Sequence, residues 1–316
     1  MRILLIAPAF YDYHHHIVRE FERRGHEVRF FAERPDRWLY SPAKKLPARW
    51  RRAVFDRYLR GVLQQVEGEV FDRVLLIRGE IVAPWFVQAL RARQPQARFV
   101  MYQWDSYRVT DFRPLVPLFD AVSTFDSVDA RELGIGYLPL FHIPSYRLQD
   151  APEQPDWDLV FVGSFHDARY RALLDIREHC RQRGIRLRHY LYLAPVDYWK
   201  LRLSGRAPAR EDVEFAKLDQ ATVVGLYRNA SGILDIENNK QTGLTMRSFE
   251  ALATGRLLVT TNPLAGELLP ELARRIVTID RQQLDLPAER LRQAPGWDDE
   301  LMAWSIEAWA GHLMDM

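Results

Sequence analysis

NNKQTGLTMRSFEALATGRLLVTTN, residues 238 to 262, is the stretch whose reading decides the fold. Gly243-Leu244 lies just before a helix spanning Thr245 to Thr254, Gly255 stops that helix, and Leu257 to Thr261 reads as a buried strand. The first turn of such a helix exposes free backbone N–H groups, a ready site for a diphosphate, and Arg247 adds a fixed cation one turn in. Glu250 follows three residues later on the same side, where a carboxylate accepts both hydroxyls of a ribose. The competing reading is an ordinary helix-to-strand unit of an α/β domain carrying a surface ion pair.

Working outward, the same alternation recurs. Upstream, DLVFVGS (158–164) is a strand running into Gly163, followed by a helix from about Ala168 to Arg183, a strand around Arg186 to Tyr190 and another at Gly232 to Asp235. The N-terminal half opens with the apolar run Ile3 to Ala7, a helical stretch His16 to Arg24 stopped by Gly25, and a strand at Glu27 to Phe31. Further β-type runs lie at Arg73 to Ile77, Phe99 to Tyr102 and Ala121 to Phe125, with helical stretches between. Strands alternating with helices imply doubly wound parallel sheets. The polar, proline-bearing segment QDAPEQPD (149–156) is the best linker candidate. It divides the chain into residues 1–150, residues 151–300 and a final helical stretch, 301–316, within a longer helix read from Trp297 to Met316. Two Rossmann-like halves of this kind face each other across a cleft at the carboxyl ends of their sheets, where ligands of α/β proteins bind.

Composition excludes several classes. The chain has 316 residues, 47% apolar and 27% charged, and its net charge is only +2. No apolar run approaches the roughly 20 residues that span a bilayer. The N-terminal run Ile3 to Tyr11 lacks a cleavage site and reads as a strand rather than a signal peptide. The single Cys180 and the lack of zinc-type Cys/His spacing fit a reducing cytoplasm. APAFYDYHHH after the first strand contains no glycine, so the nicotinamide fingerprint G-x-G-x-x-G is absent there; the phosphate-binding loop G-x-x-x-x-G-K-[ST] and the hydrolase elbow G-x-S-x-G are absent throughout.

With these residues in hand, GLTMRSFEALATGRLLVTTN resembles the nucleotide-sugar-binding helix of GT-B glycosyltransferases of the E-x7-E group. It is closest to the bacterial CgeB-like and polysaccharide or lipopolysaccharide biosynthesis glycosyltransferases, in which Q-x-G-L-T-x-R-x-x-E recurs. WDSYRVTDFRPLVPLFDAVSTFDSVDARELGIGYLPLF (104–141) and DLVFVGS are similar to further segments of that group. The resemblance implies an α/β GT-B fold, whose final helix commonly crosses back onto the N-terminal domain as 301–316 would, and transfer of a sugar from a nucleotide-sugar donor to a glycan or lipid-linked glycan of the bacterial cell surface. It also implies that Glu250 holds the ribose, that Gly243, Leu244 and Thr245 approach the diphosphate and sugar, and that Gly163 approaches the diphosphate. The first Glu of E-x7-E falls on Thr242, which leaves sugar preference and the retaining stereochemistry of the group open. Ser164 stands where the group has an arginine, so Arg169, Arg171 or Lys240 supplies the cation. A nucleotide-sugar epimerase, which shares the architecture, and a non-catalytic sugar-nucleotide-binding scaffold are the alternatives.

Helix amides and one or two cations stabilise a leaving diphosphate without metal, and no D-x-D motif is present, so the expected cofactor set is empty and the metal set is none. On the acceptor side, His14, His15 and His16 follow the first strand and Asp105 follows another, which makes them candidate bases or acceptor ligands. The competing readings are surface or capping roles for the histidines and a helix N-cap or interdomain hydrogen-bonding role for Asp105; Asp126 and Asp129 read as helix-start residues. Charge is unevenly placed: residues 1–150 are net +5 and the remainder −3, with Arg37 to Arg60 holding eight basic residues and one acid. A helix from Ala48 to Val66 there carries Trp50, Val54, Phe55, Tyr58, Val62 and Leu63 on one face. It is read either as a core-packing helix with a basic solvent face or as a peripheral contact with anionic lipid on the inner face of the cytoplasmic membrane. DYWKLRLSGRAPAR (197–210) has a similar character. Nucleic acid is not an expected partner.

Overall fold

The computed structural model describes residues 1–9, 12–148, 152, 154–237, 241–281, 283–286, 288–291 and 295–316. The chain divides into two compact units, Met1–Pro139 with Ile306–Met316, and Leu140–Ser305. The units divide at Pro139/Leu140 rather than at 150/151, and of the linker read at 149–156, residues 149–151 and 153 lie outside the described residues.

The first unit runs β1 (Arg2–Ala7), α1 (Tyr13–Arg23), β2 (Glu27–Ala32), α2 (Arg37–Ala43), α3 (Ala48–Gln65), β3 (Arg73–Ile77), α4 (Pro84–Arg93), β4 (Arg98–Gln103), β5 (Ala121–Thr124), α5 (Ser127–Leu133) and β6 (Gly136–Tyr137). The six strands form one parallel sheet in the order β2-β1-β3-β4-β5-β6. Continuous apolar runs make this possible: Ile3 to Ala7 and all of β3 are buried, as a parallel strand covered on both faces requires. Leu4, Ile6, Val74, Leu76, Phe99 and Met101 pack on one face against Leu59, Val62 and Leu63 of α3 and Phe86, Val87 and Leu90 of α4. Each such side chain contributes about 1.5–3 kcal/mol by leaving water.

The second unit runs β7 (Trp157–Ser164), α6 (Asp167–Gln182), β8 (Leu187–Tyr192), α7 (Pro195–Leu203), α8 (Gln220–Arg228), β9 (Ala230–Asp235), α9 (Met246–Ala253), β10 (Leu257–Thr260), α10 (Ala265–Leu268), β11 (Ile276–Thr278) and α11 (Ala288–Leu291). Its parallel sheet has the order β11-β10-β9-β7-β8. Leu159, Phe161, Leu191, Leu234 and Val259 from the strands share its core with Leu173, Ile176 and Cys180 of α6.

Two sequence expectations change. The helix read from Trp297 to Met316 is a 3-10 turn, Asp299–Trp304, followed by α12, Ile306–Asp315. Ser305 is extended and pairs with His142, whose backbone N–H donates to the Trp304 carbonyl at 2.9 Å, so long-range pairing breaks the local helical period. α12 belongs to the first unit: Arg73 Nη1 donates to the Leu313 carbonyl at 2.5 Å and Trp309 meets Tyr102 edge-on at 5.2 Å. Trp50 does not join the buried face of α3; it is 56% exposed, and burial is confined to Leu59, Val62 and Leu63 in the second half of the helix. The short strands β6 and β11 carry too little sequence for a periodic signal.

Candidate functional site

In the second unit the chain leaves β7 toward β8 on one side and returns to β9 on the other, so the strand order reverses between β7 and β9. Ligands of open α/β sheets bind at the carboxyl ends of strands at such a point. β9 delivers Asp235 there, almost wholly buried. Three side chains from the start of α9 converge on it. Thr245 Oγ1 donates to Asp235 Oδ2 at 2.8 Å, Ser248 Oγ donates to the same oxygen at 2.6 Å, and Arg247 Nη1 donates to Oδ1 at 2.9 Å. Thr245 is also the N-cap of α9, its hydroxyl accepting from Ser248 N at 3.3 Å. Burial opposes the Arg247 charge, but Asp235, Tyr227 and Glu250 outweigh it and hold its pKa above the ordinary arginine value.

Arg169, on the first turn of α6, closes the other side. Its Nη1 donates to the Ser164 carbonyl at 2.8 Å and its Nε to the Ile236 carbonyl at 3.1 Å, tying the ends of β7 and β9 together. Among the described residues no carboxylate pairs with it. Burial and the neighbouring Arg247 push its pKa down to about 10, against the opposing pull of Asp235 and Glu237. Gly163 lies beside both: a Cβ there would stand 2.7 Å from Phe161 Cζ and 3.5 Å from Arg247 Nη2, so only bare backbone fits. Gly243 and Leu244 are buried, and Asn262 Nδ2 fixes the turn by donating to the Thr242 carbonyl at 2.9 Å. Glu250 is 9% exposed, and its side chain hydrogen-bonds that of Tyr146; burial and Glu250 together raise the Tyr146 pKa far above the tyrosine range. Arg281 Nη2 donates to Glu237 Oε1 at 2.7 Å and to Thr261 Oγ1 at 3.1 Å on the far side of Asp235.

Thus Gly163, Ser164, Arg169, Gly243, Leu244, Thr245, Arg247 and Glu250 gather at the carboxyl ends of β7 and β9, while Lys240 lies outside the described residues. The competing reading of a surface ion pair on this helix does not hold, because Arg247 pairs with the buried Asp235. Asp235, Glu237, Asn262 and Arg281 were not singled out from the sequence; their common signal is position, each at or just beyond a strand end.

The first unit holds a second charged cluster. Its strand order reverses between β1 and β3, and Glu33, Arg78 and Asp105 follow the ends of β2, β3 and β4. Arg78 Nη2 lies 2.5 Å from the fully buried Glu33 Oε1 and pairs with Glu80, and Nη1 is 3.5 Å from Asp105 Oδ2. Burial pushes the Glu33 carboxyl up against the pull of Arg78; it also works against the Arg78 charge, which Glu33, Asp105 and Glu80 nevertheless hold. Glu80 further meets the Tyr40 hydroxyl and Arg34 Nη1, the latter at 2.9 Å. Gln103 Nε2 donates to the Arg78 carbonyl at 3.0 Å. Arg78 sits at φ +66°, a left-handed conformation that costs a non-glycine residue about 1–2 kcal/mol, and such strain collects at functional sites.

Asp105 therefore belongs to an ion-pair network. Residues 106–111 form turns and bends, so it caps no helix. His14, His15 and His16 lie in the first turn of α1 rather than before it. His14 stacks on His15 at 4.0 Å and on Phe30 at 5.1 Å, and burial, with His15, lowers its pKa. Asp126 caps α5, accepting from Val128 N at 3.0 Å and Asp129 N at 3.1 Å. Asp129 receives Tyr107 N at 2.9 Å and Arg108 Nη1 at 2.9 Å, so both aspartates have structural partners.

No family model matches the chain, and no curated protein does. Solved structures do. An α,α-trehalose-phosphate synthase (UDP-forming) of Burkholderia xenovorans, in complex with glucose-6-phosphate, is 12% identical with a TM-score of 0.65 over 99% of each chain. The lipopolysaccharide outer core galactosyltransferase WaaB in its apo form is 15% identical with a TM-score of 0.54, covering 100% of this chain and 99% of its own. A putative UDP-N-acetylglucosamine 2-epimerase of Listeria monocytogenes is 12% identical with a TM-score of 0.58, covering 99% of this chain and 94% of its own. What the likeness shows is the fold: two parallel-sheet α/β units of GT-B architecture.

Proposed function

We propose that the protein is a glycosyltransferase that takes a sugar from a nucleoside-diphosphate donor and passes it to a glycan hydroxyl of the bacterial cell surface, free or lipid-linked. The observation that carries this reading is Arg169, a half-buried guanidinium held by two backbone carbonyls and lacking a carboxylate among the described residues. It stands beside the bare backbone of Gly163 and the start of α9. A diphosphate supplies the missing negative charge, with α9 amides adding theirs. As the bond from sugar to phosphate breaks, charge grows on the leaving oxygen, and preorganised donors stabilise it without metal. Glu250, fixed by Tyr146, accepts the ribose hydroxyls. Arg247, neutralised by Asp235, holds the shape of the site more than it supplies charge.

Acceptor recognition is assigned to the first unit, where Asp105 and the Glu33–Arg78–Glu80 network offer the mixed donors and acceptors that sugar hydroxyls need, with His14 to His16 on the same sheet edge. Retaining transfer needs no protein base; inverting transfer uses Asp105 or a histidine. The reading places the enzyme in the cytoplasm, with the basic segment 37–60, whose Trp38 and Trp50 are exposed, meeting the inner membrane face. The structural likeness to a putative epimerase supports a second reading, interconversion of the donor without an acceptor.

Calorimetry with uridine, guanosine, thymidine and cytidine diphosphates tests the donor site. One of them binds the wild type, and Glu250→Ala weakens it at least tenfold; equal affinity overturns the assignment. Incubating the matching sugar nucleotides with and without glycan acceptors separates transfer from donor interconversion.

A further inference from the structure

α7 turns apolar side chains outward. Val196, Trp199 and Leu203 are 66%, 58% and 89% exposed, while Tyr198 is buried and Leu201 packs against the core of the second unit. At about 100° per residue the three exposed side chains fall within an arc of about 60° on the solvent side. Lys200 flanks this stripe on one side and Arg202 on the other, both exposed, and Arg206 follows just beyond the helix. Residues 195–210 contain Lys200, Arg202, Arg206 and Arg210 against Asp197 alone, which pairs with Lys200 at 2.7 Å.

Single exposed apolar residues need no explanation, but a tryptophan, a leucine and a valine aligned on one face do. Three side chains are far fewer than the roughly 20–30 residues a side of a stable protein interface. A bilayer demands less: a few side chains entering the interfacial region, an indole at headgroup depth and cations against lipid phosphates. The cations on both flanks complement an anionic surface.

We propose that α7 docks on an anionic lipid bilayer, inserting Val196, Trp199 and Leu203 while Lys200, Arg202 and Arg206 meet the headgroups. This contact belongs to the second unit and is separate from the segment 37–60; it does not depend on the donor chemistry.

Co-sedimentation of the full chain tests it, with vesicles of phosphatidylcholine alone and of phosphatidylcholine mixed with phosphatidylglycerol. The wild type is expected to partition at least tenfold more strongly onto the anionic vesicles and to release in high salt. Trp199→Ser with Leu203→Ser lowers that partition at least tenfold at an unchanged melting temperature, and Leu203→Glu alone lowers it in the same direction. Lys200→Gln with Arg202→Gln flattens the salt dependence. Trp38→Ser with Trp50→Ser reads the 37–60 segment separately and leaves the contribution of α7 in place. The proposal is overturned if the wild type binds neither vesicle, or if the Trp199/Leu203 variants bind as the wild type does. It is also overturned if light scattering shows a dimer that these variants abolish while vesicles go unbound, because the face then serves a protein partner.

Discussion

Asp235 Oδ1 and Arg247 Nη1 meet at 2.9 Å at the point where β9 ends and α9 begins, and the carboxylate is 1% exposed. The pair joins a strand to a helix, and the second carboxylate oxygen holds Thr245 and Ser248 in the same first turn.

Removing that acceptor strands a buried cation. Asp235→Ala is expected to lower stability by about 3–5 kcal/mol, the usual loss when one partner of a buried pair goes. Asp235→Asn, which keeps an acceptor of the same shape, should lose less. Urea unfolding at neutral pH measures both, and a loss under about 1 kcal/mol for the alanine variant would show that the pair does not organise the α9 start.

Arg169→Met separates phosphate recognition from base recognition. Charged hydrogen bonds contribute about 1.5–3 kcal/mol, so affinity for the best nucleoside diphosphate should fall about tenfold to a hundredfold, while the matching nucleoside binds with little change. Calorimetry of the two ligands reads the difference. A parallel loss of both would place Arg169 outside the phosphate site.

Gly255 stands at φ +69°, and a Cβ there would meet Gly296 C at 2.5 Å. Gly255→Ala thus adds a left-handed strain of about 1–2 kcal/mol to an overlap of about 1–3 kcal/mol against backbone that cannot swing aside. Gly266→Ala is the matched control, because nothing lies within 4 Å of its Cβ position. Thermal melts should show a large drop for the first and almost none for the second.

Stability should also fall as the pH drops below about 6.5. Burial lowers the pKa of His14, aided by His15, and that of His189, aided by Arg177 and opposed by Asp212. A histidine depressed on folding gives its full stabilisation above the ordinary value near 6.5, and loses it as pH falls through the folded value, since the unfolded chain then binds more protons. Urea midpoints on either side of that value measure the slope, and His189→Gln should flatten it. An unchanged slope in the variant would remove His189 as a source.

The sequence is most legible where structure is local. Ile3 to Ala7, Val74 to Ile77 and Leu159 to Phe161 are apolar runs, and each is buried within a parallel strand. Gly255 was readable as a stop because the short helix before it is a local feature. Glu80 and Glu33 are 47 residues apart and Arg281 and Glu237 are 44 apart, so only the order of strands in a sheet makes them neighbours. Trp50 misled because helical periodicity describes a face without saying where the sheet beneath it ends. Trp304 misled because pairing between His142 and Ser305 overrides the local period.

Because α12 completes the first unit while the second unit is the intervening chain, the first fold can close only after Ile306–Met316 has been synthesised. Arg73 awaits the Leu313 carbonyl and Tyr102 awaits Trp309 until that segment has been synthesised. During synthesis the second unit is therefore free to mature first, and a chain cut short near residue 305 is damaged in the unit made first, far along the chain from the cut.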